Sequence, residues 1–198
     1  MQKKYKLILS AEQSFARAVA IGVRVKRPLT AWHFLIPGIF IFDYLKTSSE
    51  INEYSKVFLF PRRLALEAAQ EISKGEDRQD RLAWVEEETK EWLSSLNLYS
   101  WGLHQRQTEE MNLLIEHYAR LLNAEGNSYH SLVRNAYATR GNYQAHLSQL
   151  ASVEKELDQA ITEIRGETKD LWKRLLAERT QVEELREKEV NKIFAEAR

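Results

Sequence analysis

One apolar run, F-L-I-P-G-I-F-I-F at residues 34–42, constrains this chain more than any other feature. No polar side chain interrupts it. Ala31 and Trp32 extend it backwards across His33, and Tyr44 and Leu45 extend it forwards across Asp43. A helix that spans a bilayer needs about 20 mainly apolar residues, and this run falls short. Pro37 removes a backbone donor and Gly38 loosens the chain beside it, so one straight helix is disfavoured. Three placements remain open: a buried core helix, a kinked hairpin that dips into one leaflet, and a full span. Length, His33 and the Pro37-Gly38 pair weigh against the span, whereas Asp43, near one end of the run, costs less there than at its centre.

The flanks suit the hairpin. Trp32 and Tyr44 stand near the two ends of the run, where aromatic side chains meet the bilayer interface. Lys26, Arg27 and Lys46 lie just outside it, with Arg62 and Arg63 further on. These five are the predicted contacts to an anionic surface. Trp32, Phe34, Leu35, Ile36, Ile39, Phe40, Ile41, Phe42 and Tyr44 are the predicted contacts to lipid. Charge supports the same division. Residues 1–63 hold eleven Lys and Arg against four Asp and Glu, a net +7, which the neutral whole balances with −7 over the rest. Apolar area and attraction to anionic lipid add in such a segment. The same asymmetry also fits a basic front that meets the acidic rear of its own bundle.

The remainder reads as all-α. Seven glycines, three prolines and 29% charged residues leave little material for turns or strands. Ser10 with Gln13 reads as a capping box that opens a helix near Ala11, with Phe15, Val19, Gly22 and Val23 on one face. T-S-S-E at 47–50 opens a short helix to about Phe60, and Pro61 opens the next, which Gly75 ends. Residues 74–80 form a polar hinge, dividing a basic, apolar segment (1–75) from a rear part (76–198). There, Leu82, Val85, Thr89, Trp92 and Leu96 define one amphipathic helix, and residues 97–101 break it. Met111, Leu114, Ile115, Tyr118, Leu121 and Leu122 define a second, antiparallel to the first.

From residue 128 to 197 there is no proline and no firm stop signal. The expectation is a long C-terminal helix with coiled-coil character. Its seam of Leu157, Ile161, Ile164, Leu171, Leu175, Val182 and Leu185 would pair with another chain, unless the helix folds back near Gly166.

The sequence carries few signs of catalysis. With no cysteine, thiol catalysis and Cys-ligated metals are excluded. Phosphate-binding, dinucleotide, nucleophile-elbow and helical zinc motifs are absent. His130, Arg134 and Tyr137 share a helix face and are the one candidate ligand site. No cofactor, metal or nucleic-acid partner is expected. With no signal-peptide core, the expected location is cytoplasmic and membrane-associated. The leading expectation is a non-enzymatic helical scaffold, peripheral or monotopic at the cytoplasmic face of a membrane through residues 27–60, that binds itself or a protein partner through the C-terminal helix. The alternatives are a soluble subunit of a complex, and an enzyme or ligand binder at His130, Arg134 and Tyr137.

Overall fold

The computed structural model describes residues 1–26, 48–166 and 168–195. The expected lipid contacts Trp32, Phe34, Leu35, Ile36, Ile39, Phe40, Ile41, Phe42 and Tyr44, together with Arg27 and Lys46, lie outside the described residues. Seven helices are present and no strand occurs among the described residues. They are α1 (Gln2–Lys26), α2 (Ser48–Ser73), α3 (Arg78–Ser95), α4 (Trp101–Asn123), α5 (Tyr129–Tyr137), α6 (Arg140–Arg165) and α7 (Lys169–Ala195).

α4 is the axis of the bundle and packs on α1, α2, α3, α5 and α6. Its apolar stripe dictates this. Met111, Leu114, Ile115, Tyr118, Leu121 and Leu122 recur at three- and four-residue spacing, and all are buried. Each such side chain contributes about 1.5–3 kcal/mol on burial. Ser100 caps the helix by accepting from the Leu103 amide at 3.2 Å. The main core draws on all seven helices, from Ile8 in α1 to Ile193 in α7. Residues either side of the 74–80 hinge therefore share one core. The hinge itself is a turn: Gly75 takes φ +103° and Asp77 caps α3.

Three boundaries differ from the sequence reading. α1 begins at Gln2, so Ser10 lies inside the helix, where its carbonyl accepts from the Ser14 hydroxyl at 2.8 Å. α2 runs unbroken through Pro61. A proline inside a helix costs about 3 kcal/mol. Here Tyr54 and Phe58 before it and Leu64, Ala65 and Ala68 after it all pack inward, and that shared burial outweighs the lost bond. The third difference is the rear helix, which is three helices. Ala138 turns the chain at φ +61°, and Thr139 caps α6 by accepting from the Asn142 amide at 3.2 Å. Gly166, at φ +81°, ends α6, and Thr168 accepts from the Leu171 amide at 3.2 Å to open α7. The fold-back near Gly166 is therefore what the chain adopts.

Folding back turns the expected intermolecular seam inward. Leu157, Leu171, Leu175 and Val182 are buried within the chain, and Ile161 and Leu185 pack on the same clusters. Ile164 alone of the seven stays exposed, at 38%.

The contacts also fix the helix directions. Glu12 pairs with Arg62 and Phe15 meets Phe58, so α1 and α2 are antiparallel. Ile8 shares a core with Val190 and Ile193, and Val19 with Val182, so α1 and α7 are antiparallel too. A methyl group on Gly22 would collide with the side chain of Gln181, so α1 and α7 approach closely there. Glu154 pairs with Arg186 and Asp158 with Arg179, which makes α6 and α7 antiparallel. Arg165 donates to the carbonyls of Leu96 and Asn97, both at 3.2 Å, and ties the end of α6 to the α3–α4 connection. One end of the bundle thus collects the last turn of α1, the first of α2, the α3–α4 connection and the α6–α7 turn. We call it the seat end.

Candidate functional site

Two features stand out: the seat end, and a polar core beneath it. At the seat end the chain leaves α1 at Lys26 and re-enters α2 at Ser48. Because α1 and α2 are antiparallel neighbours, both ends of the most apolar stretch of the sequence emerge side by side. The seat end is also where apolar side chains reach solvent. Ile21, Tyr99, Trp101, Ile164, Trp172 and Leu176 are the large exposed hydrophobic residues there, with Trp101 at 74% and Leu176 at 57%. Among the described residues, Met1 is the one other large hydrophobic side chain so exposed, at the opposite end. No helix among the described residues is long and apolar enough to cross a membrane.

The basic residues expected at an anionic surface divide. Lys26 is the last residue of α1 and so belongs to the seat end. Arg63 is exposed and pairs with Glu67 one turn on. Arg62 is a correction: it is 4% exposed and lies in the core. Its Nε sits 3.2 Å from Glu12 and its Nη2 donates to Glu154 at 3.3 Å. The guanidinium also lies 4.2 Å from the centre of the Phe58 ring, a cation–π contact. Arg186 grips the same Glu154 with two bonds of 2.7 Å. The chain Glu12–Arg62–Glu154–Arg186 therefore crosses α1, α2, α6 and α7. Charged groups this buried persist only when paired. The pairing holds Glu154 below the usual carboxylate range and Arg62 above the usual guanidinium range, against the opposing effect of burial.

Beside Arg62 and Glu154 lies a cavity of about 210 Å³, bounded by α2, α3, α4, α6 and α7. Trp92, Leu96, Leu157 and Ile161 form its apolar wall, and Glu110, Glu154, Asp158 and Glu178 line it together with Arg62, Arg174 and Arg179. Burial raises Glu110, pushes Glu178 up to about 7 and pushes Asp158 up to about 6. Glu110 accepts a bond from Gln107, and Asp158 from Arg179. Among the described residues, no group of three His, Asp or Glu side chains is placed to hold a metal ion. Glu154 and Asp158 pair with arginine, while burial holds Glu110 and Glu178 towards their protonated forms.

The candidate ligand face of α5 does not assemble. Arg134 donates through Nε and Nη2 to the Ile193 carbonyl, at 3.0 and 2.5 Å, and so caps α7. Tyr137 is buried with its hydroxyl 2.7 Å from Nδ1 of His117. His130 stands beside the Tyr129 ring. The three point to three different neighbours, because the short α5 is buried on several sides at once. A cluster that sequence reasoning missed lies next to Tyr137. The rings of His117 and His146 stack 4.8 Å apart, with Tyr137 and Tyr143 against them. Burial lowers His117 well below its ordinary value and His146 to about 4, so both are neutral packing groups at pH 7.

Comparison with protein-family models, with curated proteins and with solved structures found no match.

Proposed function

We propose that the chain is a non-enzymatic helical scaffold held at the cytoplasmic face of a membrane. The contact is a re-entrant seat formed by the apolar segment between α1 and α2. The observation that supports it most is the antiparallel pairing of those helices, which brings Lys26 and Ser48 to the same end of the bundle. A segment that leaves and returns on one side suits a one-leaflet hairpin and not a span. Its length, its Pro37-Gly38 pair and its flanking Trp32, Tyr44, Arg27 and Lys46 suit the same placement. The seven-helix body then stands on the membrane as the surface that a protein partner meets. Self-association through the Leu157 to Leu185 seam is not part of this reading, because six of its seven residues pack inside the chain.

Phe40→Ser with Phe42→Ser is expected to abolish flotation with vesicles of phosphatidylcholine and phosphatidylglycerol, while the helical circular dichroism stays that of the parent. A folded double variant that floats as the parent does would sink the lipid seat. A variant that unfolds instead would place the two phenylalanines in a protein core.

A further inference from the structure

We propose that the seat end carries a second lipid contact, separate from the 27–47 segment, built by the α3–α4 connection and the first two turns of α7. It rests on the membrane reading above and names the surface that reading leaves open. On α7, Lys169, Trp172, Lys173 and Leu176 follow at i, i+3, i+4 and i+7 and are all exposed. That spacing makes one continuous stripe. The same turns bury Leu171 and Leu175 on the opposite side, so the stripe is not a misplaced core face. It contains two lysines and no acid. Beyond the Leu96 and Asn97 carbonyls that Arg165 clamps, Tyr99 in the α3–α4 connection and Trp101 at the start of α4 are exposed at 45% and 74%.

Composition and place identify the occupant. Two tryptophans and a tyrosine beside lysines are the side-chain types that settle at the headgroup level, rings inward and ammonium groups outward. The lysines match an anionic lipid surface. The patch lies at the end of the bundle where the chain leaves α1 and enters α2, so one membrane surface serves both contacts in this proposal. A bundle resting on two contacts has its orientation on the membrane fixed, which a single contact cannot achieve.

The chain has no cysteine, so one introduced thiol is unique. Nitroxide labels would be placed through Trp101→Cys, Trp172→Cys, Leu176→Cys, Phe40→Cys and, as a control at the far end, Glu125→Cys. The measurement is collision with oxygen and with a neutral nickel complex, with and without vesicles containing phosphatidylglycerol. At positions 101, 172 and 176 the oxygen-to-nickel ratio is expected to rise severalfold on vesicles and to stay unchanged at 125. No change at 101 and 172, with a rise at 40, would overturn the second contact and leave the first standing. No change at any position would overturn the membrane reading itself. Labels at 101 and 172 that are immobilised without vesicles would show the patch covered by the chain's own 27–47 segment. Labels that broaden one another without vesicles would show it covered by a second copy. Either result would overturn the proposal.

Discussion

Arg62→Ala is expected to destabilise the bundle by about 3–5 kcal/mol, the range seen when one partner of a buried ion pair is removed. The arginine holds Glu12 and Glu154 and lies over Phe58, so its loss leaves Glu12 without its arginine and opens a gap between α1 and α2. Arg186 still grips Glu154, which limits the damage there, but Glu12 keeps no such partner in the chain Glu12–Arg62–Glu154–Arg186. Arg62→Lys retains the charge and loses the forked geometry that reaches two acids at once, so it should fall between the parent and the alanine variant. Urea unfolding at pH 7 measures all three. A loss below about 1 kcal/mol for Arg62→Ala, the range of an exposed pair, would mean that Arg62 faces water.

The second large effect is of pH. Burial raises Glu110, and pushes Glu178 and Glu189 up to about 7 and Asp158 up to about 6. A buried acid with a raised value binds its proton in the folded state where the unfolded chain has already lost it. Its penalty is therefore absent at low pH and is fully felt above about 7. The two imidazoles act in the opposite sense. His117 and His146 resist protonation when folded, so they favour the unfolded chain as pH falls below about 6.5. Between pH 8 and 6 the acids outweigh the imidazoles. One proton held only by the folded chain is worth about 1.4 kcal/mol for each tenfold rise in proton concentration. Stability should therefore rise from pH 8 to pH 6 by something on the order of 2–3 kcal/mol. Urea midpoints at the two pH values test this. Glu178→Gln and Glu189→Gln should each flatten the dependence, since a neutral amide keeps an acceptor for Tyr54 or Tyr143 without the titration. A protein more stable at pH 8 than at pH 6 would contradict the buried-acid account.

The all-helical fold and most of the helix faces could be read from the sequence, because they depend on local spacing. Met111 to Leu122 is an apolar stripe in any context, and Gly75 and the 97–101 break are local stop signals. What could not be read depends on distant partners. Helix α2 passes through Pro61 because residues far away in sequence bury both of its halves. Ala138 takes a positive φ, which its residue type does nothing to announce. The Glu12–Arg62–Glu154–Arg186 chain joins residues up to 174 positions apart, so nothing near Arg62 in sequence distinguishes it from the exposed Arg63. The seam from Leu157 to Leu185 has a period that fits equally well between two chains or between α6 and α7. Only the turn at Gly166 decides that it closes on itself. His130, Arg134 and Tyr137 share a helix face by count, yet the crowded surroundings of the nine-residue α5 send each to a different neighbour.

The most direct test of the membrane seat is flotation of the purified full chain with phosphatidylglycerol-containing and purely zwitterionic vesicles, at low and at high salt. Screening weakens adsorption by lysine and arginine but leaves inserted apolar area untouched. The account predicts flotation with anionic vesicles that persists at high salt. Protein that stays at the bottom of the gradient under every condition would contradict it.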